Sequence, residues 1–187
     1  MKIVALLGSP RPEGNTAVLA RSFLNACQSQ GAAVETHFLN KMSYRGCQAC
    51  MSCKTKTEAC ILEDDMTPVY EAIRQADIVV LVSPVYFGDL SGQLKTAFDR
   101  FYAYLDPNFA SRLPAGKQGV FILTQGSPKE EEYNDIFGRY AGFLQWLNFQ
   151  QCHLIRACGL MGPGEVKDRP EALQQAVDVA QAVMARP

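Results

Sequence analysis

The hydrophobic pattern along the chain switches between two periods. Residues 2–7 form a short apolar, β-branched run that ends at Gly8, as a buried strand does. Over residues 15–30, Leu19, Phe23, Ala26 and Cys27 recur at helical spacing. Residues 33–39 read as a second strand. Residues 66–75 read as a helix, with Asp65 or Thr67 as its cap and Pro68 in its first turn. Residues 78–83 are a nearly continuous Ile/Val/Leu run, the pattern of a central parallel strand covered on both faces. Residues 91–104 and 130–147 read as helices, and residues 119–124 and 152–158 as the fourth and fifth strands. Asp168 and Glu171 have the spacing of a capping box opening a last helix, whose apolar face is Leu173, Ala176, Val177, Ala180, Val183 and Met184.

Alternating strands and helices predict an α/β fold, a doubly wound parallel sheet with helices on both faces. Five strands fit the flavodoxin-like order 2-1-3-4-5, with the dinucleotide-fold order as the competitor. Either topology puts ligands at the carboxyl ends of the strands, beside the switch point. The loops after strands one, three and four are therefore where chemistry is expected.

Length and composition narrow the function. A chain of 187 residues suits one domain spanning residues 1–187, and 48% hydrophobic with 20% charged residues excludes wholesale disorder. A formal net charge of −1 leaves no basic footprint, so nucleic acid is not an expected partner. The N-terminal apolar run is short and lacks a cleavage site, and no apolar stretch is long enough for a membrane span, which predicts a cytoplasmic protein. There, clustered cysteines point to metal or catalysis more than to disulfides. Four of the seven cysteines fall within residues 47–60.

The loop Gly8-Ser9-Pro10-Arg11-Pro12-Glu13-Gly14-Asn15-Thr16 follows a strand and opens a helix. Glycines permit close backbone approach, hydroxyls and amides donate, Arg11 adds a charge, and a helix N-terminus favours an anion. It is neither a Walker A loop nor G-x-G-x-x-G. The absence of a Lys favours one terminal phosphate over a triphosphate with magnesium. An ordinary turn capped by Asn15 or Thr16 is the alternative. The loop at residues 83–92 gathers Pro84, Tyr86, Phe87, Gly88 and Gly92, which can supply an apolar wall and free backbone groups for a flat heteroaromatic ring.

G-S-P-R-x-x-G-N-T followed by S-P-V-Y-F-G-x-L-S-G-x-L-K-x-x-x-D-R resembles the NAD(P)H-dependent FMN reductase family over most of residues 1–130. The resemblance implies a flavodoxin-like FMN oxidoreductase. Ser9, Arg11, Asn15 and Thr16 would hold the FMN phosphate. Pro84, Val85, Tyr86, Phe87 and Gly88 would meet the isoalloxazine, and Thr124 and Gly126 the ring or ribityl chain. No catalytic side chain is implied, because flavin N5 carries the hydride chemistry. A homodimer or homotetramer is implied, with NAD(P)H as donor and an unknown acceptor. An electron carrier fed by ferredoxin is a second reading.

Cys47, Cys50 and Cys53 are spaced two residues apart, and Cys60 follows after six more. Four thiolates can hold a [4Fe–4S] cluster or zinc. The spacing resembles the iron–sulfur flavoprotein branch of the family. Free thiols or a reversible disulfide, and a non-redox zinc module, are the competing readings. Cys27, Cys152 and Cys158 are expected in the core, Lys95–Asp99 as an exposed ion pair, and the acidic runs at 63–65 and 130–132 as helix caps.

Overall fold

The computed structural model describes residues 1–185. Strands β1 (Lys2–Leu7), β2 (Ala33–Phe38), β3 (Ile78–Tyr86), β5 (Lys117–Thr124) and β6 (Phe149–Ala157) pair in parallel in the order β2-β1-β3-β5-β6. The two-residue β4 (Asp89–Leu90) folds back antiparallel on the end of β3. Leaving β4 aside, this is the expected order 2-1-3-4-5.

Alternation along β1 sends Ile3 and Ala5 to one face and Val4 and Leu6 to the other. The first face packs under α1 (Asn15–Ser29) and α6 (Pro170–Met184) through Leu19, Phe23, Ala176 and Ala180. The second packs under α3 (Thr67–Gln75), α4 (Gly92–Asp99) and α5 (Asn134–Trp146) through Val69, Ile73, Leu94, Phe98, Ile136 and Leu144. A single turn, α2 (Ser52–Thr55), lies inside the cysteine segment. Cys27 is fully buried in the core. Among the described residues no helix is long and apolar enough to cross a membrane.

Four local expectations change. The helix expected over residues 91–104 ends at Asp99, and Arg100–Tyr104 tighten into a 3₁₀ turn. The helix expected from residue 130 starts at Asn134. The Arg156 guanidinium hydrogen-bonds the Glu132 carbonyl, the Asn134 side chain and Gln125, and so holds residues 132–134 in place. The Asp168–Glu171 capping box does not form. Pro170 at the helix start keeps Arg169 out of the helical region (φ −120°, ψ 74°), and Arg169 becomes the cap residue. The acidic run at 63–65 is not simply a cap either, since Asp64 is committed to Arg100 at 2.8 Å.

The carboxyl ends of β1 and β3 are tied together at Ser91. Its hydroxyl donates to the Gly8 carbonyl (2.8 Å), and as N-cap of α4 it accepts from the Leu94 N–H (3.3 Å). The Ser91 N–H donates to the Ser83 hydroxyl (2.8 Å). Gly8 has no room to change: a Cβ there would stand 2.6 Å from Ser91 Oγ and 2.7 Å from Leu94 Cβ. Gly8→Ala is expected to lose about 1–3 kcal/mol from overpacking, and Ser91→Ala about 1–2 kcal/mol from the lost cap and tie. Urea denaturation measures both, and wild-type stability in Gly8→Ala would contradict the packing described.

Candidate functional site

The loops at the strand ends enclose a cavity of about 270 Å³. Ser9, Arg11, Asn15 and Thr16 line it from the β1–α1 loop, Pro84, Val85 and Tyr86 from the end of β3, and Thr124, Gln125 and Gly126 from the end of β5. Sequence-predicted residues from three separate loops thus meet in one place. Phe87 and Gly88 do not line the cavity. They form the tip of the β3–β4 hairpin, both with positive φ (52° and 83°), as a two-residue type I′ turn requires. The left-handed backbone is costly for a bulky residue, and the Phe87 side chain is wholly exposed at the rim.

The phosphate-type end is built from backbone and one cation. Gly14 caps α1 without a side-chain hydrogen bond, so the first-turn N–H groups of a 15-residue helix have no side-chain acceptor. Buried Ser9 is braced by its hydroxyl, which accepts from the Arg11 N–H at 3.1 Å. The Arg11 guanidinium is exposed and has no ion pair among the described residues. Together these groups form a site for an anion. Asn15, which lines the cavity, also has a bracing role. Its amide donates to the Gly162 carbonyl (2.9 Å) and accepts from the Val166 N–H (3.1 Å), so it fastens the β6–α6 loop to the cavity.

That fourth loop supplies lining residues not identified from sequence: Leu160, Met161 and Pro163. Its glycine-rich run, Gly159-Leu-Met-Gly162-Pro-Gly164, was the available signal. Met161 lies against Gly126, where a Cβ would fall 2.5 Å from its sulfur.

Cys47, Cys50, Cys53 and Cys60 line one small pocket with Ile61, Leu62, Arg100 and Ala103. Cys47 and Cys50 are exposed, and Cys53 and Cys60 are half-buried. Ala49 and Met51, on either side of Cys50, both take left-handed backbone (φ 51° and 57°). The Ser52 backbone N–H, followed by its hydroxyl, holds the Cys50 thiol below its ordinary pKa. The cavity is about 30 Å³, room for about one water. Among the described residues no three His, Cys, Asp or Glu side chains are gathered as a metal ion needs, so the thiols share a pocket without forming a preassembled ligand shell.

Arg100 clasps the base of this segment, a role hidden in the sequence. Its side chain is fully buried. Nη1 donates to the Arg45 carbonyl (2.7 Å) and to Asp64 (2.8 Å), and Nε donates to the Tyr70 hydroxyl (2.8 Å). Chain entering the segment at Arg45 and leaving it at Asp64 is thereby joined. Lys54 donates to the Tyr102 and Leu105 carbonyls (both 2.6 Å), and Arg112 to the Cys53 carbonyl (3.0 Å), which pins the segment to residues 100–113. Lys95 and Asp99 form the expected exposed ion pair at 2.6 Å.

The NADPH-dependent FMN reductase family profile matches residues 1–132. An iron–sulfur flavoprotein of Methanocaldococcus jannaschii is 41% identical over 100 residues, 54% of this chain and 51% of its own length. An iron–sulfur flavoprotein of Methanosarcina thermophila is 34% identical over 127 residues, 68% of this chain and 64% of its own. The chain thus aligns with between half and two thirds of the length of these relatives. Among solved structures, an NAD(P)H:quinone oxidoreductase from Methanothermobacter marburgensis superposes with a TM-score of 0.82 at 19% identity, covering 100% of this chain and 98% of the other, a likeness of fold.

Removing Arg100 leaves Asp64 without its buried partner. Arg100→Ala is expected to cost about 3–5 kcal/mol in urea denaturation. Burial pushes the Asp64 carboxyl up, but the Arg100 guanidinium and the Arg45 and Met66 N–H groups outweigh it, and the carboxyl sits below its ordinary value. Its stabilisation is therefore present above the unfolded-state value of about 3.9 and is lost as pH falls through the lower folded-state value. Asp64→Asn should flatten the acid limb of a stability-against-pH curve, and an unchanged limb would contradict the pairing.

Proposed function

Because the chain belongs to the NADPH-dependent FMN reductase family, we propose that it is an NAD(P)H-dependent FMN oxidoreductase that passes electrons on through an iron–sulfur cluster. One observation carries the flavin half: an open helix N-terminus and an unpaired Arg11 share a cavity with the ends of β3 and β5. The first-turn N–H groups of α1, Ser9 and Arg11 hold the phosphate. Asn15 holds the β6–α6 loop closed on that end. Pro84, Val85, Tyr86, Thr124, Gly126 and Met161 would meet the ring, and the strained Phe87–Gly88 tip presents an exposed aromatic outside the cavity. Held by these residues, FMN would supply the hydride-accepting and single-electron chemistry that the side chains themselves lack. No side-chain acid or base is assigned.

The cysteine segment suits an iron–sulfur cluster by its donors. Four thiols on one pocket are the ligand set such clusters take, and the relatives aligned with this chain are named iron–sulfur flavoproteins. Loading the small pocket requires the four side chains to draw together around the cluster. Self-association is supported by an apolar groove of about 350 Å³ beside the hairpin, in which Phe143 and Trp146 are half exposed.

Anaerobic purification with flavin, iron and sulfide assays, followed by NADH and NADPH oxidation, tests the proposal. The expected result is one FMN and about four iron and four sulfide per chain, with steady turnover of a nicotinamide donor. Colourless protein that takes up no FMN would sink it, and flavin without turnover would favour a carrier fed by a protein donor. Arg11→Ala should weaken FMN binding by about tenfold or more, the loss of one charge-assisted hydrogen bond. Unchanged affinity, read by flavin fluorescence quenching, would remove Arg11 from the site.

A further inference from the structure

We propose that Met161 is an oxidation site coupled to cofactor retention: conversion of its thioether to the sulfoxide loosens the hold of the strand-end cavity on FMN. The inference rests on the flavin reading given above and names a modification of that same site. Met161 comes from the β6–α6 loop, and neither the phosphate end nor the ring-facing loops call for a thioether there.

Of the described methionines Met161 is the most exposed, at 79%, against 43% for Met51 and 41% for Met1, while Met66 is fully buried. So open a side chain gains little from burial, yet it lines the cavity beside Leu160 and Gly126. Its sulfur sits against Gly126, a fit that exists only because Gly126 has no side chain: a Cβ there would fall 2.5 Å from that sulfur. The loop is also fastened on both sides of the contact. The Met161 N–H donates to Glu165 Oε2 (2.8 Å), and Oε1 of the same carboxylate closes on Gly162, where a Cβ would stand 2.6 Å away. Asn15 holds the Gly162 carbonyl (2.9 Å) and the Val166 N–H (3.1 Å). Met161 is thus kept with its sulfur at the cavity wall and its side chain open to solvent.

The oxidant is hydrogen peroxide. A sulfur lone pair takes one peroxide oxygen, the O–O bond breaks, and the other oxygen leaves as water with both protons. Sulfur is oxidised by two electrons and peroxide is reduced by two. Two-electron reduction of dioxygen, with two electrons and two protons from reduced flavin, forms that peroxide in the same cavity. The sulfoxide is polar and chiral where the thioether is flexible and apolar. It puts a polar atom on the wall made by Gly126 and Leu160, and a polar group without a partner weakens an apolar contact. The change is reversible, because sulfoxide reductases restore the thioether.

The test gives wild type and Met161→Leu a short pulse of hydrogen peroxide and maps methionine oxidation by peptide mass spectrometry. FMN affinity is read by flavin fluorescence quenching before and after the pulse, as a ratio within each protein. Met161 should oxidise ahead of Met51, and Met66 last. Wild-type affinity should fall by about tenfold, the cost of one unpaired polar group at the wall, and Met161→Leu should not change across the pulse. Treating oxidised wild type with methionine sulfoxide reductases for both epimers should restore binding. Met51 oxidising as fast as Met161, or Met161 sulfoxide with unchanged FMN affinity, overturns the proposal. An equal loss in both proteins places the damage on the cysteines, which both carry, and overturns it too. If Met161→Leu folds poorly, the reductase treatment of wild type decides: recovered affinity supports the coupling and unrecovered affinity overturns it. Unoxidised wild type that takes up no FMN overturns the flavin reading and the coupling with it, a result distinct from the others.

Discussion

The architecture of the site hangs on one close contact, Ser91 against Gly8. The hydroxyl of Ser91 reaches the Gly8 carbonyl at 2.8 Å only because Gly8 has no Cβ. Through that contact the first loop cannot move without the start of α4, and through Ser83 the end of β3 is tied to the same point. A parallel sheet brings its loops to one end but does not set their spacing. The Ser91 tie does, before any ligand is present, so the cost of ordering these loops is met during folding rather than on binding.

Helix α4 extends this constraint to the cysteine segment. It begins at the Ser91 tie and ends next to Arg100, the residue that clasps the segment's two ends. The nine residue steps from Ser91 to Arg100 span about 14 Å, so a short rigid rod connects the strand-end cavity to the cysteine segment. Tyr44 strengthens the link, its hydroxyl donating to the Gln93 carbonyl at 2.6 Å. Burying a guanidinium is costly unless it is fully paired. Here Asp64, two backbone carbonyls and Tyr70 satisfy it, which makes Arg100 a precise anchor for a segment with little regular structure of its own.

Much of this was legible in the residues. The hydrophobic periods marked the strands and helices, because strands covered on both faces leave continuous apolar runs such as Ile78–Val82, and the observed order is one of the two that five such strands allowed. Loop composition pointed to the loops that enclose the strand-end cavity, because anion sites need glycines and a helix start. What stayed hidden was tertiary. Arg100 reads as one more charge on an amphipathic helix, since nothing local says its partners are 36 and 55 residues away. Arg156 fixes Glu132 and Asn134 at the start of α5 in the same way, from 24 and 22 residues away. Asn15 lines the cavity as its loop suggests and is also a brace, a role its local sequence hides because its partners at Gly162 and Val166 are far along the chain. Phe87 in left-handed backbone runs against local preference, as strained residues at functional sites do.

The central claim is that the open N-terminus of α1, with Ser9 and Arg11, is a phosphate cradle for a flavin. Titrating flavin-free protein with FMN and with riboflavin, which differ only in the phosphate, tests it directly. The account predicts that FMN binds at least about a hundredfold more tightly, the loss of two or more charge-assisted hydrogen bonds. Equal affinity for the two would contradict it.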